Sequence, residues 1–168
     1  MHAGFKESPA STLEAMYQQV YVDEMKGLPI CNDDIKVQAV DFQLWEDHWV
    51  GILITPWFTN LLIIRQEGQQ WPEFTLGKYH KKEIIFPAGA IKFTPRFEPQ
   101  LGQYLCCSLV SPMTEVATHQ QALRDAKNAI RQLLTVPIEI KQIDSDTELN
   151  NEQQARRSFL KGKRVATA

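Results

Sequence analysis

The sequence has little of what catalysis, metal binding or export requires. Its three cysteines, Cys31, Cys106 and Cys107, are an odd number without regular spacing, a poor disulfide framework that fits a reducing compartment better. No C-x-x-C pair occurs. The four histidines, His2, His48, His80 and His119, include no pair at the i, i+4 spacing that presents two imidazoles on one helix face, so no metal site and no cofactor are expected. There is no G-x-S-x-G elbow, no Walker A sequence and no G-x-G-x-x-G, which disfavours phosphate-cradling enzymes. Neither sign of charge dominates: 18 Lys and Arg against 20 Asp and Glu leave −2, no global reason to bind nucleic acid. The opening residues MHAGFKESPA hold no apolar h-region, so no secretory signal is expected. The most apolar run, Ile52 to Ile64, is interrupted by Thr55, Pro56, Thr59 and Asn60 and falls short of a bilayer span. A cytoplasmic protein without stable membrane insertion is the expectation.

What is present is an ordinary globular composition, 43% hydrophobic and 23% charged over 168 residues, enough for one domain. Ser11 and Glu14 have capping-box spacing, and Leu13, Met16, Tyr17 and Val20 follow at helical intervals until Gly27-Leu28-Pro29. Val40, Phe42 and Leu44 alternate with Asp41, Gln43 and Trp45; the turn Glu46-Asp47-His48 leads into Trp49 to Thr55, so a β-hairpin is predicted. Pro56 ends or kinks that strand, and Leu61 to Arg65 starts another. Glu83 to Phe86, Ala90 to Thr94 and Gln103 to Leu109 read as three more strands, with a loop over 95–102. Consecutive strands without helical crossovers favour an antiparallel sheet. Thr118 and Gln121 form a second capping-box spacing ahead of Ala122, Ala126, Ala129, Ile130, Leu133 and Leu134. The expected fold is α+β: a mostly antiparallel sheet of about six strands flanked by an N-terminal and a C-terminal helix, in a single domain over 1–142.

Residues 143–168 are polar and then basic, and are expected to form a flexible tail. Residues 151–168 hold five Lys or Arg against Glu152, a local charge of +4; taking that from the total of −2 leaves −6 on residues 1–150.

For chemistry, adjacent Cys106 and Cys107 point to opposite faces of a strand and are poorly placed to chelate one metal, although a reactive thiol remains an alternative to an inert small residue. Asp33-Asp34 and Glu46-Asp47 read as solvated surface, and no general acid or base is proposed. With no nucleophile, metal set or phosphate loop, binding is favoured over catalysis. Trp57 and Phe58 follow Pro56 at a strand end, and Trp71-Pro72 lies in a loop after Gly68; these are candidates for a partner surface, against the alternative that both tryptophans cover a core edge.

Ile54-Thr55-Pro56-Trp57, Trp71-Pro72, the run Phe86-Pro87-Ala88-Gly89-Ala90-Ile91-Lys92-Phe93-Thr94 and the run from Gln103-Tyr104 to Ser111-Pro112 come in an order and spacing that resembles the nickel-iron hydrogenase assembly chaperones of the HybE/HupJ type. The resemblance implies an accessory protein of hydrogenase maturation that binds a hydrogenase precursor, in particular the small subunit and its twin-arginine export signal, with the large subunit or other maturation factors as further partners. On this reading Trp57, Phe58, Trp71, Pro72, Pro87, Gly89, Tyr104, Ser111 and Pro112 are the candidate partner-binding residues, Trp57, Phe58 and Trp71 lining one apolar cleft. Some relatives carry rubredoxin-like C-x-x-C pairs; this chain has none, which puts an iron site in doubt. A thiol- or cluster-handling redox factor for hydrogenase assembly is the alternative, and a small-ligand carrier a third reading.

Near the C-terminus, Arg156-Arg157-Ser158-Phe159-Leu160-Lys161 reads like the R-R-x-F-L-K core of a twin-arginine signal, but without an apolar run after it. It is a candidate regulatory pseudo-substrate, against the simpler reading of a basic, solvated tail.

Overall fold

Two consecutive strands, His48–Ile54 and Thr59–Ile64, are mostly apolar and have to be covered on both faces, and the two helices supply the covers. The computed structural model describes residues 2–135. The chain runs α1 (Ala10–Val20), which continues as a π-helical turn over Tyr21–Met25, then β1 (Gln38–Trp45), β2 (His48–Ile54), β3 (Thr59–Ile64), β4 (Lys82–Phe86), β5 (Gly89–Glu98), β6 (Gly102–Val110) and α2 (His119–Leu134). The strands form one six-stranded sheet in the order β1-β2-β3-β6-β5-β4, and every neighbouring pair is antiparallel.

The pleat sorts the core into two halves. Val50, Ile52 and Ile54 of β2 and Leu61 and Ile63 of β3 pack with Ala122, Ala126, Ile130 and Leu133 of α2. Their neighbours Leu53, Leu62 and Ile64 pack with Leu13 of α1, together with Tyr104 and Cys106. The four buried α2 positions recur at i, i+4, i+8 and i+11, one stripe of the helix. The predicted cap of α2 is formed: Thr118 Oγ1 accepts from the Gln121 N–H at 3.0 Å.

Three features differ from the sequence expectation. The Ser11–Glu14 capping box does not form. The helix starts two residues earlier, with Pro9 at the N-cap position and its carbonyl accepting from Leu13 N–H at 2.9 Å. Glu14 instead accepts from the Ala39 N–H at 3.2 Å and fastens α1 to β1.

The alternation along β1 is broken by a bulge. Val40 pairs with Ile52 and Gln43 with Val50, so Asp41 and Phe42 together face Gly51. Asp41 takes the left-handed conformation, φ 50°, and the pleat inverts beyond it. Val40 therefore packs toward α2, Phe42 toward α1, and Trp45 back on the α2 side, where its ring stacks on Phe86 at 4.5 Å.

The segment after Thr94 is strand, not loop, as far as Glu98. Pairing of β5 passes from β4, which it holds through Phe93, to β6, which it joins at Thr94. Pro95 lies just past that exchange, opposite Leu105.

Candidate functional site

One end of the sheet gathers the turn between β2 and β3, the loop over 28–36 and the loop after β6. The β2–β3 turn is shaped by Thr55, whose hydroxyl accepts from the N–H groups of Trp57 (3.3 Å) and Phe58 (3.0 Å), while its own N–H donates to the Phe58 carbonyl at 2.8 Å. Pro56 is buried within the turn and Trp57 is left half-exposed. The Trp57 ring lies 11° from parallel with Tyr21 at 6.3 Å and meets Phe58 edge-on at 5.4 Å; Tyr17 meets Phe58 edge-on at 5.6 Å.

Next to this aromatic corner stand acids. The Tyr21 hydroxyl donates to Asp33, and this bond to the carboxylate, with smaller contributions from burial and the Asp33 charge, pushes the phenol up to about 12. Asp23 and Glu24 on the π-helical turn, and Asp33 and Asp34 in the following loop, are exposed. The same region exposes Val22, Leu28 and Ile30. Apolar, aromatic and anionic groups thus share one surface, the composition that suits a segment carrying cations beside apolar side chains.

Asn32, which no sequence motif marked, ties this end together. Its side-chain amide donates to the carbonyls of Met113 (3.1 Å) and Val116 (2.8 Å), and its backbone N–H donates to the Pro56 carbonyl at 2.8 Å. One residue therefore connects three loops far apart in sequence. The only hint in the chain was an Asn followed by two acids, a common turn composition.

A second surface feature adjoins it. Between α2 and the end of β6 runs a groove of about 150 Å³ lined by Thr59, Val110, Met113, Val116, Ala122 and Ala126, with Asp125 also on its wall. Leu109 and Val110 at its lip are 43% and 40% exposed, high for residues of their size.

The candidate residues fall into four places. Trp57, Phe58, Ser111 and Pro112 lie at the end just described: Thr59, next to Phe58, pairs with Val110, next to Ser111. The Ser111–Pro112 peptide is cis, and both residues are exposed. Trp71 lies at the opposite end, its ring 4.8 Å from His48 and 5.4 Å from Phe74, with exposed Pro72 beside it. His48 and Ile54 are the two ends of β2, roughly 20 Å apart at about 3.3 Å per residue, so Trp71 does not line one cleft with Trp57 and Phe58. Pro87 and Gly89 flank the β4–β5 turn, where the Ala88 N–H donates to the Leu133 carbonyl at the C-terminal end of α2 (3.2 Å); Gly89 is buried. Tyr104 is 3% exposed and packs beneath α1. Burial raises its phenol far above the ordinary range, and the phenol of Tyr17 opposite is raised too. It supports α1 and presents no surface to a partner. Arg156, Arg157, Phe159, Leu160 and Lys161 lie outside the described residues, as does the proposed boundary at residue 142.

All three thiols are held toward the protonated form. Burial pushes Cys106 up to about 11, and burial likewise raises Cys107 and Cys31. Cys106 joins the α1-side core while Cys107 packs on the α2 side, the opposed orientation expected of adjacent strand residues. Among the described residues no group of three or more His, Cys, Asp and Glu side chains is placed to hold a metal ion, and no helix is long and apolar enough to cross a membrane.

The description of a nickel-iron hydrogenase assembly chaperone, HybE, fits residues 8–162 of this chain. The chain is 31% identical over 137 residues to the hydrogenase-2 operon protein HybE of Escherichia coli strain K12, covering 81% of this chain and 83% of that protein. It is 33% identical over 150 residues to the hydrogenase expression/formation protein HupJ of Bradyrhizobium diazoefficiens, covering 89% and 85% respectively. The solution structure of HybE from Escherichia coli superimposes with a TM-score of 0.65 at 29% identity, over 81% of this chain and 83% of that one. The order of strands and helices derived above, together with these matches along most of the chain, places the protein in the HybE family of nickel-iron hydrogenase assembly chaperones.

Proposed function

We infer that this chaperone works without catalysis, in the cytoplasm, by holding a hydrogenase small-subunit precursor through its twin-arginine export signal until assembly is complete. The observation that carries the reading is the corner where half-exposed Trp57 stacks on Tyr21 and Tyr21 is bonded to Asp33. A guanidinium is recognised by a flat ring and a carboxylate together, and a twin-arginine signal offers two guanidinium groups followed by apolar residues. Exposed Val22, Leu28 and Ile30, and the groove beside Val110, give those apolar residues a place away from water and lipid. The net charge of −6 on residues 1–150 adds long-range attraction for a basic segment.

The direct test is recovery of partners on the tagged full-length protein from cells making the hydrogenase. The reading predicts that the small-subunit precursor is recovered with its leader uncleaved. Recovery of the mature subunit alone, or of no small subunit, contradicts it.

A further inference from the structure

The hexapeptide Arg156-Arg157-Ser158-Phe159-Leu160-Lys161 matches the ligand just described: two arginines, then two apolar side chains, then a lysine. We propose that this segment of the chain docks in the groove between α2 and β6, with Phe159 and Leu160 against Leu109, Val110, Val116 and Ala129 and the arginines toward Asp125, and so occupies the leader-binding surface until a precursor displaces it. The competition part rests on the function inferred above; the docking itself does not.

Size, charge and reach point the same way. A groove of about 150 Å³ with an alanine floor has the volume of a cavity that accepts a benzene ring, the side chain of Phe159 less its methylene. Asp125 is part of the groove's wall. Asp33 and Asp34 follow Asn32, whose amide is bonded to the carbonyls of the groove residues Met113 and Val116. An apolar slot with the Asp125 carboxylate on its wall and two more acids next to Asn32 complements a segment in which one residue separates the arginines from the apolar pair.

The chain also reaches. Residues 136–155, twenty in all, separate α2 from Arg156. From Thr135 back to Ala122 along the helix is roughly 20 Å at about 1.5 Å per residue, well inside what twenty residues span. A tethered segment of this length competes at an effective concentration of about a millimolar, so even weak docking hides the surface from a dilute ligand. The family match extends through residue 162 and therefore takes in the hexapeptide, which sets it apart from an arbitrary trailing end.

The experiment compares the full-length parent with two full-length variants, Phe159→Ala/Leu160→Ala and Arg156→Glu/Arg157→Glu, by backbone amide spectra, followed by titration of each with a synthetic hydrogenase small-subunit twin-arginine leader. Both variants substitute residues outside the described core, so the spectra can be compared residue by residue. Docking predicts shifts in both variants at Leu109, Val110, Asp125 and Ala129, with the β1 and β4 edges unchanged, and a leader affinity two- to tenfold tighter than the parent's. Spectra that coincide at the groove in both variants overturn the docking, whatever the leader does. Groove shifts with equal leader affinity in all three proteins keep the docking and overturn the competition. Groove shifts without leader binding by any of them keep the docking and overturn the inferred function instead.

Discussion

The ring of Phe42 lies on Gly51, so close that a Cβ at Gly51 would sit 2.4 Å from Phe42 Cδ2 and Cγ. The β1 bulge puts it there by setting Asp41 and Phe42 against a single residue of β2. Gly51→Ala therefore drives a methyl into an aromatic ring within the α1-side core and should destabilise the protein by about 2–3 kcal/mol in urea unfolding. In a Phe42→Ala background the same change should cost much less, since the clashing ring is gone, and the two substitutions should be clearly non-additive. Additive costs would mean the ring is not what requires the glycine.

Asn32→Ala leaves two carbonyls, those of Met113 and Val116, without their amide partner and releases the loop after β6 from the rest of the end. A loss of about 1–3 kcal/mol is expected, together with faster amide hydrogen exchange in 111–118 than in β2. Asn32→Asp should be no better, because a carboxylate cannot donate to the same carbonyls. Uniform exchange rates in Asn32→Ala would show that it does not hold the three loops together.

Two histidines give the fold a pH dependence. Burial, first among the causes, lowers the pKa of both His48 and His119. His119 Nδ1 accepts from the Lys36 N–H at 3.2 Å, which leaves the proton on Nε2, facing Gln38 Oε1 at 2.7 Å; His48 Nδ1 accepts from the Gln66 N–H at 3.4 Å. An imidazolium can make neither Nδ1 bond. The unfolded chain binds protons first as pH falls, so this stability is full above the ordinary histidine pKa of about 6.5 and is lost as pH drops through the lowered folded values. The urea midpoint should fall between pH 7.5 and 5.5, and the slope should flatten in His48→Gln/His119→Gln. An unchanged slope in the double variant would assign the effect to other groups.

For the thiols, alkylation of native protein at neutral pH should be slow throughout, with Cys106 the slowest, since burial holds it near 11. Mass spectrometry after brief iodoacetamide treatment checks the order. Rapid labelling of Cys106 or Cys107 would revive the thiol-handling alternative.

The antiparallel character of the sheet, both helices and the α2 cap were legible because each rests on local chemistry: alternation, turn residues, and Thr118 three positions before Gln121; the strand order, with β6 beside β3, was not. The β1 bulge was not, since one residue in a left-handed conformation inverts the faces without altering composition, and Asp41 resembles any other polar residue between two apolar ones. Pro9 outweighed the Ser11 signal for a similar reason: a proline suited to opening a helix fixed the start before the hydroxyl could. Pairing Trp57 with Trp71 failed on topology that was already in hand. Successive turns of an antiparallel meander lie at opposite ends of the sheet, and these tryptophans follow successive strands. Asn32 could not have been found, because the partners of its side-chain amide are more than 80 residues away.

That separation of the two tryptophans makes the central claim directly measurable by calorimetric titration of a hydrogenase small-subunit twin-arginine leader into the parent, Trp57→Ala and Trp71→Ala, each first checked for an intact fold by circular dichroism. The account predicts that Trp57→Ala weakens binding about thirtyfold, equivalent to about 2 kcal/mol, while Trp71→Ala stays within about twofold of the parent. Equal affinity in the parent and a folded Trp57→Ala, or no binding by the parent, would contradict it.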